Sequence, residues 1–193
     1  DFCLSRGLGD VYKRQLLCFY VVHWLIAFGT VFIYNLSLGS VMQSVRIALV
    51  QNEISKCCED NLDKAIAGVE SCARKKANFI LLPEMWLTGF NYREIRKLST
   101  KDCKQAIELL SRKARQHSAY IIAGSIPELG KERIYNTSYI LGPEGVLGKY
   151  RKSHLFSPLA EPKHLASGDS IRTFDTDSGR VGVLICYEIR FPE

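Results

Sequence analysis

With 193 residues, 47% of them apolar and 24% charged, the chain sits in the range of one soluble globular domain and outside the disordered and collagen-like classes. Its formal net charge is +6, of which residues 1–41 hold three basic and two acidic side chains, leaving 23 minus 18, or +5, for the remainder. That charge is mild and dispersed, with Arg74, Lys75, Lys76, Arg112, Lys113 and Arg115 on solvated helical faces, so no nucleic-acid partner is expected.

In chain order, the first feature is LLCFYVVHWLIAFGTVFIY, residues 16–34, an apolar run long enough to span a bilayer as a helix. Lys13 and Arg14 in front of it would keep the N-terminus cytoplasmic. A plainer reading competes with it. Met42 directly precedes SVRIALVQ, which reads as a complete strand, and the opening CLSRGLGDVYKRQ resembles adaptor-derived read-through. Residues 1–41 are therefore expected to be non-native read-through or an apolar leader, and residues 42–193 the folded part.

From Val45 onward, short apolar runs alternate with helical patterns, the order of an α/β fold. The runs VRIALV (45–50), FILL (79–82), AYIIAG (119–124) and VGVLIC (181–186) are continuous, as strands covered on both faces should be. Leu62, Ala65, Ile66, Val69, Cys72 and Ala73 recur at helical spacing, with Asp60 or Asn61 as N-cap and Lys75 and Lys76 in the last turn. Cys103, Ala106, Ile107, Leu110 and Ala114 mark a second helix capped by Ser99 or Thr100. YNTSYIL leads into a turn at GPEG (142–145), and TDSG (176–179) predicts a hairpin before the last strand. The seven cysteines show neither C-x-x-C spacing nor a secreted scaffold's density, which fits a reducing cytosol. Adjacent Cys57 and Cys58, beside Glu59 and Asp60, are poorly placed to chelate one metal, so no metal is expected.

Three segments carry reactive groups where a strand or turn ends, the place where open α/β sheets gather their ligand sites. In FILLPEMWLTGF, Pro83 stops ladder pairing and Glu84 follows at once, a carboxylate expected to be desolvated and so suited to proton transfer. In KYRKSHLF, Lys152 and His154 would point one way and Arg151 the other if the segment is extended. In VGVLICYEIRFPE, Cys186 ends the apolar run. Singly, each has a plain reading: a carboxylate holding backbone donors, a solvated basic edge, an inert buried cysteine. Together they supply a thiol, a base to deprotonate it and a cation to hold the developing oxyanion.

In this order, LLPEMWLTGF, KYRKSHLF and ICYEIRFPE resemble the three signature blocks of the nitrilase superfamily of carbon-nitrogen hydrolases, over Met42 to Glu193. The pattern is most similar to the stand-alone amidases, including the omega-amidase-like branch. The resemblance implies a four-layer α-β-β-α sandwich, incomplete here because the chain reaches Glu193 seven residues after Cys186. It implies Glu84 as general base, Lys152 as electrophilic stabiliser and Cys186 as nucleophile, with the oxyanion held by Lys152 and the backbone N–H of Tyr187. Glu161, in the stretch where the family uses a second glutamate, would hold Lys152. Trp86, Phe90 and Tyr92 are candidates for a pocket wall and Arg190 for an acidic substrate. The implied reaction converts a small-molecule amide to an acid and ammonia through a cysteine thioester, with no metal or organic cofactor. A cytoplasmic homo-oligomer with no membrane partner is the expected setting. Nitrile hydrolysis is one alternative; a membrane-anchored acyltransferase of the same superfamily is another, supported only by residues 16–34. Where relatives read CYD, this chain has Cys186, Tyr187 and Glu188. A serine hydrolase is excluded because the chain has no G-x-S-x-G elbow.

Overall fold

The computed structural model describes residues 31–38, 43–98, 100–130 and 132–191. Its centre is a seven-stranded sheet entered by β1 (Val31–Leu38), which pairs antiparallel with β2 (Gln43–Val50). The sheet continues in parallel through β3 (Phe79–Leu81) and β4 (Tyr120–Ile122). Between these parallel strands run α1 (Cys58–Arg74), the short α2 (Tyr92–Lys97) and α3 (Thr100–His117). Residues 31–34, the end of the apolar run that could have been a membrane helix, are strand. Val, Phe, Ile and Tyr fit a pleated surface, and β2 offers them an eight-pair ladder. Residues 16–30 and Met42 lie outside the described residues. No helix among the described residues is long and apolar enough to cross a membrane.

The continuous apolar runs are explained by a sheet buried on both sides. Ala48, Val50, Ile80, Leu82, Ile121 and Leu141 face one cluster, where α1 contributes Ala65, Val69 and Cys72 and α3 contributes Ala106, Leu110 and Ala114. The alternate residues Val45, Ile47, Phe79, Tyr120, Ile122 and Ile140 face the other. Burial of each large aliphatic side chain stabilises the fold by about 1.5–3 kcal/mol. The two helices also meet at Glu70, which pairs with Lys113 at 2.5 Å and His117 at 3.3 Å.

The second half is antiparallel. β5 (Ile126–Leu129), β6 (Ile134–Gly142) and β7 (Gly145–Arg151) follow, with β7 on one edge of β6 and both β4 and β5 on the other. The registers Ile122↔Ile140 and Ile126↔Thr137 differ by one residue, so β4 and β5 are one strand interrupted by a bulge around Gly124, whose φ is +50°. The turn expected at 142–145 joins β6 to β7, and the hairpin expected at 176–179 joins β8 (Thr173–Thr176) to β9 (Gly179–Gly182). Phe174 and Val181 of that hairpin cover the sheet face opposite the helices. The described residues thus supply helix, sheet and second-sheet layers of the expected sandwich.

Several local expectations are corrected. Helix α1 begins at Cys58, with Cys57 rather than Asp60 or Asn61 at the N-cap. Asn61 is instead buried inside the helix: its side chain accepts from Ser55 N and donates to Ser55 O and Leu87 O. The helix stops at Arg74, because Lys76 adopts a left-handed φ of 57°. The last apolar run pairs only as far as Gly182; Val183 and Ile185 remain buried on the sheet without a ladder partner among the described residues.

Candidate active site

Glu84 is presented by the turn that leaves β3. Leu82 N makes the last ladder bond, to Ile122 O, and Pro83 then ends pairing. The bulge grips this turn: Ser125 N donates to Pro83 O at 3.1 Å, and Met85 N donates to Ser125 Oγ at 3.0 Å. Trp86, a candidate for the pocket wall, is instead 2% exposed and donates its indole N–H to Ala123 O. It fixes the turn from beneath.

Lys152 follows β7 directly. Its backbone N–H donates to Asn136 O at 2.9 Å, which continues the β6–β7 ladder by one pair and sets Lys152 and Asn136 opposite each other. The Lys152 side chain is 1% exposed. Its Nζ lies 2.8 Å from Glu84 Oε1 and 2.9 Å from Glu161 Oε2. His154, expected to share Lys152's direction, is exposed and stacks on Phe191 at 4.0 Å; the strand has ended at Arg151, so alternation no longer holds. Arg151 does turn away, onto Glu128 at 2.7 Å.

Glu161 starts α4 (Glu161–His164) and is fully buried. It also accepts from Phe156 N at 2.5 Å and from Asn136 Nδ2 at 3.2 Å. Asn136 Nδ2 donates to Glu84 Oε1 as well, at 2.8 Å. Sequence reading missed Asn136: an asparagine inside YNTSYIL has no periodic signature, and only the ladder register opposite Lys152 reveals it.

Cys186 opens a short 3₁₀ turn, Cys186–Arg190, with a left-handed φ of 52°. Five non-glycine residues among those described have positive φ. Two, Lys76 and Ser118, end helices, whereas Met85, Ala160 and Cys186 are at or next to Glu84, Glu161 and the thiol. Such conformations cost about 1–3 kcal/mol each and persist only where surroundings enforce them. Here the enforcement comes from Glu188, which is 1% exposed. One oxygen accepts from Tyr150 Oη, Ser153 N, Ser153 Oγ and His154 N, and the other from Ile185 N. This carboxylate ties the cysteine turn to the lysine loop, and Tyr187 packs on Phe156 across the same seam.

The electrostatics follow from this crowding. Cys186 is open to solvent on one side, yet desolvation by the protein behind it, the charge of Glu84 and a hydrogen bond to Glu84 push its thiol up to about 11, against a smaller opposing pull from Lys152. Burial works to lower the Lys152 ammonium, but Glu84 and Glu161 outweigh it and hold the ammonium above the ordinary lysine range. At neutral pH the thiol is therefore protonated, with a committed ammonium behind Glu84.

Of the remaining candidates, Tyr92 donates from Oη to Leu159 O at 2.7 Å and stacks on His164. Desolvation and the nearby Glu161 raise its phenol. Phe90 is half-buried on the loop before α2, and Arg190 is exposed at the end of the cysteine turn.

The family model for carbon-nitrogen hydrolases matches residues 46–193. The chain belongs to the carbon-nitrogen hydrolase family. It is 38% identical to the human omega-amidase NIT2 over 160 residues, covering 79% of this chain and 58% of that protein. It is 36% identical over 135 residues to the 2-oxoglutaramate amidase of Bacillus subtilis, covering 69% and 52%. Among solved structures, yeast Nit3, a member of branch 10 of the nitrilase superfamily, superposes with a TM-score of 0.69 at 33% identity, covering 77% of this chain and 57% of that one. This carbon-nitrogen hydrolase chain thus spans under two thirds of the length of these relatives.

Proposed function

We propose that the protein hydrolyses small amides to acid and ammonia through a thioester on Cys186. The observation that carries this reading is the contact chain from the Cys186 thiol to Glu84, Lys152 and Glu161. Glu84 takes the thiol proton as sulfur attacks the amide carbon. The transfer is concerted with attack, so no free thiolate has to accumulate on a sulfur whose pKa is about 11. Lys152 and the Tyr187 N–H, in the first turn of the 3₁₀ segment where amides lack intrahelical acceptors, hold the tetrahedral oxyanion. Glu84 then protonates the departing nitrogen, and the C–N bond breaks to leave the thioester and ammonia. Glu84 deprotonates a water that attacks the thioester carbon, and the acid leaves as the Cys186 thiol is reprotonated. Every proton is accounted for by Glu84, so no metal or organic cofactor is required. Base assistance of this kind contributes about 10² to 10⁴ in rate, and one oxyanion donor about 2.7–4 kcal/mol.

Glu161, saturated by Lys152, Asn136 and Phe156 N, holds the cation rather than reacting. Phe90 and Tyr92 border the substrate, and exposed Arg190 favours one with a carboxylate at its far end. The names of the omega-amidase and 2-oxoglutaramate amidase relatives support that substrate class. The protein works in the cytosol as a homo-oligomer on a small-molecule amide, without membrane or nucleic acid. The test is ammonia release by the full-length protein from omega-amides of dicarboxylic acids, from uncharged amides and from nitriles. Release from the omega-amides, absent in Cys186→Ala and Glu84→Gln, is expected. Turnover of nitriles alone, or undiminished turnover in Cys186→Ala, would overturn the reading.

A further inference from the structure

We infer that Asn136 is a positioning residue that divides labour between the two glutamates, orienting Glu84 so that one of its oxygens is left for the Cys186 proton. This rests on the reading of Glu84 as base. Both donors that reach Glu84 from the buried side, Lys152 Nζ and Asn136 Nδ2, go to the same oxygen, Oε1, each at 2.8 Å. Two donors on one oxygen fix the plane of the carboxylate, and neither of them engages Oε2.

Glu161 receives the opposite treatment. It is fully buried, and both of its oxygens are engaged, Oε1 by Lys152 and Asn136 and Oε2 by Lys152 and Phe156 N. It has no oxygen to spare for a proton in transit. Asn136 is the neutral side chain that touches both glutamates.

The orientation of the amide is itself informative. Nδ2 must face the two carboxylates, which leaves Asn136 Oδ1 buried with no partner among the described residues. An unpaired buried acceptor is costly, so the amide is held by the carboxylates and not by other demands on it. Its place in the ladder opposite Lys152 makes the arrangement rigid.

The experiment compares Asn136→Asp and Asn136→Ser with wild type in the full-length protein, measuring kcat, KM, the pH profile of kcat/KM and Tm. Removing a donor from a carboxylate raises its pKa, and adding a third carboxylate raises it further. The acid limb of the profile should therefore move to higher pH, more in Asn136→Asp than in Asn136→Ser. The kcat should fall about 10²-fold, as for a misplaced reacting group, with KM unchanged. Wild-type kcat and acid limb in both variants would overturn the inference. So would a loss of kcat with an unmoved acid limb, or failure of both variants to fold, since either assigns Asn136 to the framework alone. Glu84→Gln serves as control: if it stays active, the reading of the base fails, whereas if it is dead while the Asn136 variants behave as wild type, only this inference fails.

Discussion

Cys186 shows how a single residue's surroundings reverse a common expectation. Cysteine nucleophiles are often activated by a depressed pKa, yet this thiol is pushed from 9.0 up to about 11 by desolvation and then by Glu84. A raised thiol pKa keeps the proton on sulfur at all lower pH, so thiolate accumulates only as pH climbs through about 11. Alkylation of Cys186 by iodoacetamide, followed by mass spectrometry of its peptide, should keep accelerating well above pH 9.0. Glu84→Gln removes the charge that raises the thiol and should move the inflection down. Lys152→Ala removes the cation that lowers it, and should move it up. An inflection below 9.0 in wild type, or shifts of the opposite sign, would show that the charges around the sulfur are arranged differently.

At the scale of elements, the bulge between β4 and β5 positions Glu84, the proposed base. Gly124 sits at φ +50°, and a Cβ built there would lie 1.9 Å from Pro83 O and 2.5 Å from Leu82 O. No flexible side chain is available to yield, because both obstacles are backbone of the turn that carries Glu84. Gly124→Ala should cost at least about 1–3 kcal/mol for the backbone conformation alone, seen as a lower Tm, and kcat should fall further than that loss of folded protein accounts for. A variant with wild-type Tm and kcat would refute the link between bulge and base. Strands β2, β3 and β4 and helices α1 and α3 were legible: Ala65, Val69 and Cys72 on α1 and Leu110 and Ala114 on α3 repeat at helical spacing, and the runs at 79 and 119 lack polar faces. The bulge was not, because the one-residue slip exists only relative to β6. The Glu128 clamp was hidden for the same reason. Its carboxylate holds Lys149, Arg151 and Thr137, partners on two other strands, which bring its pKa down to about 2 against the opposing cost of burial.

Over the whole molecule, three segments separated by about 68 residues (Glu84 to Lys152) and 34 residues (Lys152 to Cys186) meet because each leaves the sheet region at a strand or turn end. The order of reactive residue types was visible in LLPEMWLTGF, KYRKSHLF and ICYEIRFPE, since the first and third break an apolar run with a reactive polar residue and the second is a compact basic run. What the sequence could not display were the neutral and structural partners, Asn136 and Glu188, whose roles arise from register and burial. Nor could spacing tell that Trp86 is a buried support or that His154 turns outward, since both depend on where a strand stops. The claim that unites these scales is that the assembled cluster directs acylation to one sulfur. Rapid acid quench of the full-length protein during turnover of an omega-amide, followed by peptide mass spectrometry, tests it directly. The account predicts an acyl group on Cys186 and on none of Cys57, Cys58, Cys72 or Cys103, lost in Glu84→Gln; an acyl group on another residue, or full turnover with no acyl-enzyme in Cys186→Ala, would contradict it.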